Sequence, residues 1–289
     1  MDRFVDTNGM KLHCIDHLGE EPPVVLLAGL TANANSFDGL VGAGLARQAL
    51  SQFPSIYGVA LDAARIRDLW LRQNGRLFRV GATVLTNDNA TPEAILGNLD
   101  ALTRKVKPDD LIVFYFGGHS WAEGIEDTPR DLTPGSFVLA GPSFDYSRPM
   151  ATGVTNDRLV RSLENIPCRK LVLINSSNSG DVVLYARQML GQKERGLVII
   201  ADCKPKEEAH EVGRRGEDSG SLLAHSIIAA IGRDFDVADT NKDGQLDCAE
   251  FAAYVIKSVS QMAQEYKLQQ IPVTYPEVVP PWPLVRKTR

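Results

Sequence analysis

Short apolar runs alternate with amphipathic stretches along most of the chain. The continuous apolar runs predict buried strands, and they are VVLLAGL (24–30), LIVFYF (111–116), LVLI (171–174) and LVIIA (197–201). Between them, apolar residues recur at helical spacing, as after Thr91 and Pro92, which suit an N-cap and a first helical turn. Strands that alternate with helices predict a mostly parallel sheet with helices on both faces.

Further elements follow from the same pattern. Asn8-Gly9 lies between FVDT and KLHCIDHL and predicts a hairpin within residues 1–23. The sequence also predicts a strand in residues 77–86 and helices at about 38–52, 59–73, 155–164, 221–235 and 248–266. Active groups of such sheets lie just beyond the carboxyl ends of the strands. Two polar clusters occupy such positions, namely Gly117-Gly118-His119-Ser120 and Asn175-Ser176-Ser177-Asn178-Ser179-Gly180.

Composition excludes several classes of function. The net charge of −5 comes without a basic stripe, so nucleic acid is not an expected partner. No apolar run approaches the roughly 20 residues that span a bilayer, and the polar start lacks a signal core. The four cysteines are far apart and form no CxxC pair, which argues against a zinc site and a disulfide framework. We therefore predict a soluble, cytoplasmic protein with free thiols and no membrane contact.

Residues 239–250 match a calcium-binding EF-hand loop at every position that matters. Calcium takes six to eight oxygen ligands, and the pattern of the loop assigns them in order. Gly244 permits the sharp turn, Leu246 packs inward, and helices are predicted on both sides. The predicted ligands are Asp239, Asn241, Asp243, the Gln245 carbonyl, Asp247 and a bidentate Glu250. EF-hands usually pair and no second loop is visible, so calcium would brace the domain with weak affinity.

His119 and Ser177 follow two of the predicted strands. A histidine and a nucleophile at neighbouring strand ends form a catalytic dyad if their side chains meet. The alternative is a structural histidine, although the two glycines before His119 allow backbone to crowd a site. Cys203, just beyond LVIIAD, is a candidate substitute nucleophile, and an idle buried thiol is the favoured interpretation of it.

From about residue 57 onward, the order of several segments resembles the caspase-like peptidases found in many bacteria. The segments are DAARIRDLW, LTNDNATPEAILGNLDAL, DDLIVFYFGGH, KLVLINSSNSGDV, LLAHSIIAAI, the EF-hand-like segment and QIPV. The resemblance implies a caspase-haemoglobinase fold, a three-layer αβα sandwich around a six-stranded, mostly parallel sheet. It also implies a peptide or protein partner.

The resemblance assigns the catalytic positions. The family's histidine lies in a Ser-Gly-His-Gly phrase, which His119 matches. Its nucleophile lies in an Asp-x-Cys-His-Ser-Gly phrase, which places Ser177 at the cysteine position and Asn175 at the aspartate that helps to bind a basic P1 side chain. Asn178 replaces the following histidine.

These departures predict loss of cleavage. A thiol ionises near pH 8.5, whereas a serine hydroxyl needs a strongly coupled base. Neutral Asn175 would lose attraction for a basic P1 group. The chain is then a pseudoenzyme, or a variant in which cysteine was replaced by serine. The changes at Asn175 and Asn178 favour the natural interpretation.

A competing interpretation begins at the N-terminus, where residues 3–45 resemble the opening of an α/β-hydrolase. Gly29-Leu30 stands where that family usually has a His-Gly pair. Gly118-His119-Ser120-Trp121-Ala122 would then be the nucleophile elbow. The alternative function is a serine hydrolase with Ser120 as nucleophile, Asp202 as orienting acid and His225 as base. The chain order suits that family, but His225 falls inside a predicted helix.

We predict four segments from these patterns. They are an N-terminal hairpin and first strand (1–45), which resembles a fused α/β-hydrolase start, a caspase-like domain (46–232), an EF-hand segment (233–265) and a tail packing on the caspase-like domain (266–289).

Overall fold

The computed structural model describes residues 58–123, 133–191, 196–213 and 219–287, together with the backbone of three earlier strands. The strands are Asp2–Thr7 (β1), Met10–Ile15 (β2), Pro23–Gly29 (β3), Arg79–Leu85 (β4), Leu111–Gly117 (β5), Ser120–Ala122 (β6), Phe137–Ala140 (β7), Gly153–Thr155 (β8), Arg169–Asn175 (β9), Leu197–Ala201 (β10), Glu211–Val212 (β11), Gly220–Ser221 (β12), Gln245–Asp247 (β13), Val273–Tyr275 (β14) and Pro283–Arg286 (β15). The α-helices are Val59–Leu71 (α1), Pro92–Lys105 (α2), Pro149–Thr152 (α3), Asn156–Glu164 (α4), Gly180–Leu190 (α5), Leu222–Ile231 (α6), Phe235–Ala238 (α7) and Cys248–Glu265 (α8).

A mixed α/β fold is built on one central, mostly parallel sheet. Within the described residues the sheet has six strands in the order β14-β10-β9-β5-β3-β4. Neighbouring strands run parallel except β14, which pairs antiparallel with β10. The prediction of a mostly parallel sheet is therefore confirmed. Because parallel strands share a direction, the loops that follow β5, β9 and β10 meet at one edge, called the carboxyl edge below.

Helices cover both faces of this sheet. On β5, Leu111, Val113 and Tyr115 belong to one buried cluster, which includes residues of α1, α6 and α8. The alternate residues of β5, Ile112 and Phe114 among them, belong to a second cluster with residues of α2, α4 and α5. Strand side chains alternate between faces, so a strand covered on both sides reads as a continuous apolar run.

Most predicted elements are present, with shifted ends. The N-terminal hairpin is confirmed, since β1 pairs antiparallel with β2. VVLLAGL corresponds to β3, an internal strand that lies between β5 and the edge strand β4. The helix predicted over residues 221–235 ends at Ile231, because Gly232 leaves the helical conformation with φ −106° and ψ −111°. The helix predicted at 38–52 and Leu30 lie outside the described residues.

Local signals explain how individual helices begin. Thr91 caps α2 by accepting a hydrogen bond from the Ala94 N–H at 3.1 Å, and Pro92 occupies its first turn, as predicted. Ser221 caps α6 in the same way through the Ala224 N–H at 3.0 Å. Across the described part of the chain, no helix combines the length and apolar character that crossing a bilayer requires.

Candidate functional site

The loops that carry His119 and Ser177 lie side by side at the carboxyl edge. Gly117 at the end of β5 faces Asn175 at the end of β9. The Gly118 N–H donates to the Asn175 carbonyl at 3.0 Å, and the Ser120 hydroxyl donates to the Ser177 carbonyl. Parallel pairing thus brings two polar clusters together that are more than fifty residues apart in sequence.

Ser177 is half-buried, and its hydroxyl is tied to the neighbouring chain. The hydroxyl oxygen accepts a hydrogen bond from the Ala209 N–H at 3.3 Å. The next residue, Asn178, has a φ of +60°, a conformation that asparagine tolerates better than most residues. Its backbone N–H donates to the Glu207 carbonyl at 2.8 Å, and its Oδ1 accepts from the Lys206 N–H at 3.1 Å. Asn178 therefore shapes the turn that presents Ser177.

Asn175 lies beneath this turn and is almost fully buried, with 4% of its surface exposed. Its Oδ1 has no hydrogen-bond partner within the described residues. The Tyr115 side chain lies on the same side, and its hydroxyl is 2.9 Å from the position that a Cβ on Gly117 would occupy. Burial, followed by the charge of Asp62, raises the pKa of Tyr115 well above its usual value. The tyrosine therefore remains protonated.

Asp62 on α1 is a buried carboxyl group that sequence reasoning missed. Its Oδ2 accepts the Ser221 N–H at 2.8 Å, and burial raises the pKa of Asp62 to about 7. A Cβ on Gly220 would lie 2.6 Å from Asp62 Oδ1 and 3.1 Å from His225 Nε2, so the two side chains converge where only glycine fits. The sequence does carry a signal for this burial, because Asp62 falls on the same apolar face of the helix as Ile66 and Leu69.

Asp202, just after β10, is the centre of a second buried polar network. Its Oδ1 accepts from the Ser179 hydroxyl at 2.8 Å and from the Ser176 N–H at 3.4 Å. Its Oδ2 accepts from Gln270 Nε2 at 3.3 Å. Burial raises the pKa of Asp202 to about 7. These contacts join the loop after β9 to the segment that leads into β14.

Cys203 belongs to this network and is fully buried. Burial, and then the charge of Asp202, raise the pKa of its thiol well above the ordinary value. Its Sγ lies 3.4 Å from the Ser176 carbonyl and 3.4 Å from the Glu207 carbonyl. A protonated thiol without solvent access does not attack a substrate, since the thiolate is the reactive form.

The residues of the alternative triad lie in three different hydrogen-bond environments. The Ser120 hydroxyl donates to the Ser177 carbonyl. Asp202 accepts hydrogen bonds from Ser179 and Gln270 in the buried network. His225 belongs to α6, as its helical position in the sequence predicted, and its Nε2 lies beside Gly220 and Asp62.

The 239–250 loop has the internal hydrogen bonds of a tightly turned acidic loop. The Gly244 N–H donates to Asp239 Oδ2 at 3.0 Å, and the Asp243 N–H donates to Asn241 Oδ1 at 2.9 Å. The Gln245 N–H donates to Asp243 Oδ1 at 2.7 Å. Gly244 has a φ of +78°, which glycine adopts without strain. The loop joins α7 to α8, and β13 lies within it.

The last two acidic residues of the loop form the capping box of α8. Asp247 Oδ1 accepts the Glu250 N–H at 2.8 Å, and Glu250 Oε2 accepts the Asp247 N–H at 3.3 Å. Glu250 Oε1 accepts the Asn241 N–H at 3.0 Å and both the N–H and the hydroxyl of Thr240. Burial opposes ionisation of Glu250, but the hydrogen bonds, that from the Thr240 hydroxyl first, outweigh it and lower its pKa.

The residues of the loop suit a hard cation. Asp239 is 2% exposed, and its Oδ1 is buried without a hydrogen-bond partner among the described residues. A buried carboxylate oxygen without a partner is costly unless a cation or donor reaches it. In the described part of the chain, no three His, Cys, Asp or Glu side chains are already grouped to hold a metal ion. Glu250 would have to exchange its contacts with Thr240 and Asn241 for an ion.

Comparisons with known proteins concern the fold alone. No family model and no curated protein matches the chain. The structure is similar to the crystal structure of a structural-genomics target protein from Geobacter sulfurreducens, with a TM-score of 0.53 and 13% sequence identity. The similarity covers 92% of this chain and 100% of that chain. It supports a shared architecture and carries no function.

Proposed function

We propose that this protein is a caspase-like peptidase homologue that binds a peptide or protein at the carboxyl edge without cleaving it. The observation that carries the proposal is that the loops of His119 and Ser177 are adjacent. A backbone hydrogen bond between Gly118 and Asn175 joins them. A six-stranded sheet between helices is also what the family resemblance implies.

The chemistry of this edge favours binding over cleavage. The nucleophile position holds a hydroxyl, and the hydroxyl oxygen of Ser177 already accepts a hydrogen bond from Ala209. The thiol of Cys203 is buried with a raised pKa. Asn175 carries no charge to attract a basic P1 side chain. A peptide bound at this edge would therefore meet no reactive thiolate.

Restoring the missing groups tests the proposal. The double variant Ser177→Cys, Asn175→Asp should cleave peptides with Lys or Arg at P1, whereas the unchanged protein should not. The matched control adds His119→Ala to the double variant and should abolish that cleavage, because the thiol then lacks its base. A correctly folded double variant that leaves every basic-P1 peptide intact would contradict the alignment of this loop.

A fluorophosphonate probe separates this function from that of a serine hydrolase. We expect no label, because the hydroxyl of Ser120 donates to the Ser177 carbonyl rather than to a histidine base. Peptide mapping that finds the phosphonate on Ser120 would support the serine-hydrolase alternative instead.

We further propose that the 239–250 loop binds Ca²⁺ and braces the domain. Asp239, Asn241, Asp243, Asp247 and Glu250 would supply side-chain oxygens, and Gln245 its carbonyl. The bound ion would supply positive charge to the partnerless Oδ1 of Asp239. Calcium titration should raise the melting temperature and give a saturable heat signal in calorimetry, and Glu250→Gln should remove both effects. Equal responses of the unchanged protein and Glu250→Gln would contradict calcium binding in this loop.

A further inference from the structure

The segment 282–287 lies along the 239–250 loop, and backbone hydrogen bonds join the two at both ends of the segment. The Lys287 N–H donates to the Gly244 carbonyl at 3.0 Å, and the Cys248 N–H donates to the Trp282 carbonyl at 2.8 Å. Between these bonds, β13 pairs antiparallel with β15, with Leu246 opposite Val285. The chain thus supplies its own strand to a loop of a kind that usually occurs in pairs.

The pairing is anchored in the core. Leu246, Leu284 and Val285 are each no more than 1% exposed, and Trp282 is 7% exposed. All four belong to the buried cluster that includes Phe251 of α8. The segment therefore docks through apolar side chains as well as through backbone hydrogen bonds.

Beyond the loop, the same segment reaches α1. The Arg286 N–H donates to Gln73 Oε1 at 3.4 Å, and Arg76 Nη1 donates to the Lys287 carbonyl at 3.0 Å. Gln73 and Arg76 lie in the turn after Leu71, the last residue of α1, which is the helix that carries Asp62. The docked segment therefore connects the 239–250 loop with α1, the helix that contributes Asp62 to the carboxyl edge.

We infer that calcium binding by the loop and docking of residues 282–287 are coupled, so that each strengthens the other. The inference rests on the calcium part of the proposed function. Gln245 is the residue whose carbonyl would coordinate the ion, and its flanking peptides are oriented by β15. With 282–287 undocked, the ion would have to order those peptides itself, at a cost in affinity. Reciprocity then requires bound calcium to favour the docked segment by the same factor.

A single backbone donor offers a sharp test. Lys287→Pro removes the N–H that donates to Gly244, and Lys287→Ala keeps it while removing the same side chain, which pairs with Asp236. In calorimetric titration of the full chain with CaCl2, Lys287→Pro should bind about fivefold more weakly than Lys287→Ala. MgCl2 in place of CaCl2 serves as the ion control.

Hydrogen exchange measures the reciprocal effect. Saturating calcium should slow amide exchange in residues 282–287 of the unchanged protein, and should leave it unaltered in Glu250→Gln. Equal calcium affinity of the two Lys287 variants, together with unaltered exchange in this segment, would overturn the coupling while leaving calcium binding intact. Absence of calcium binding by the unchanged protein would overturn both proposals.

Discussion

The carboxyl edge and the 239–250 loop are assembled in opposite ways. The edge combines Asp62, the loops after β5 and β9, Asp202 and Gln270, which come from separate parts of the chain. The loop takes its internal hydrogen bonds from twelve consecutive residues, 239–250. A contiguous motif can be recognised in sequence residue by residue, whereas a site assembled by tertiary structure can be predicted only as far as its strand ends and not in its side-chain partners.

Glu250 of the loop differs from the buried acids of the edge in the direction of its pKa shift. At the edge, burial raises the pKa of Asp62 and of Asp202 to about 7. In the loop, hydrogen bonds to Glu250 outweigh burial and lower its pKa. Asp62 and Asp202 are thus favoured in their protonated form and Glu250 in its ionised form, whereas burial raises the pKa of Asp247, the other acid of the capping box.

The largest expected effect is therefore on how the free energy of unfolding depends on pH. A folded-state pKa raised above the unfolded value stabilises the protein at low pH, and that stability is lost as pH rises from about 4 through about 7. Each of Asp62 and Asp202 should contribute a loss of about 4 kcal/mol in unfolding free energy across this window. Urea unfolding of Asp62→Asn and Asp202→Asn should show that much less pH dependence than the unchanged protein.

Glu250 gives the opposite sign and serves as the comparison for that experiment. Its lowered pKa contributes stability above its unfolded value, and that stability is lost as pH falls below about 4.5. Glu250→Gln should therefore reduce the pH dependence of the unfolding free energy only at acidic pH. Identical pH profiles for all three variants would contradict the opposite pKa shifts of Glu250 and of the two buried aspartates.

Next in size is the apolar anchor of the loop. Leu246→Ala should lower the unfolding free energy by about 3 kcal/mol, because it empties a fully buried position facing Val285. The control is Val237→Ala on neighbouring α7, where the side chain is 67% exposed and the change should stay within about 0.5 kcal/mol. Equal denaturation midpoints for the two variants would mean that the loop is not anchored through Leu246.

The smallest effect contrasts two glycines that have open space around them. A Cβ on Gly244 or on Gly97 would meet no atom within 4 Å, so backbone conformation alone decides the outcome. Gly244→Ala should destabilise by about 1 kcal/mol because φ is +78°. Gly97→Ala, inside α2, should stabilise by up to about 1 kcal/mol. Thermal denaturation measures both, and shifts of the same sign would contradict this account.

Much of the fold could be predicted because its signals are local. LIVFYF, LVLI and LVIIA correspond to β5, β9 and β10, since strands covered on both faces consist of consecutive apolar residues. Thr91 and Pro92 marked the start of α2. The predicted end of α6 was wrong because apolar periodicity continues past Gly232, where the backbone leaves the helical conformation.

The polar networks could not be predicted from local pattern. Asp202 was considered only as the orienting acid of a triad, yet its partners are Ser179 and Gln270, the latter 68 residues further along the chain. Asp62 looked like an ordinary residue of an amphipathic helix. Its role depends on the Ser221 N–H and on Gly220, which approach only after α1 and α6 have packed.

Because β3 is an internal strand of the sheet, the N-terminal segment cannot simply be removed from the protein. Residues 23–29 pair with β4 on one side and with β5 on the other, so they are not an accessory that trimming could remove. A truncated protein beginning at residue 46 would expose the paired edges of both neighbours, including β5, whose side chains are buried throughout. Unpaired strand edges pair with other chains, so this truncation should yield aggregates rather than a smaller folded domain.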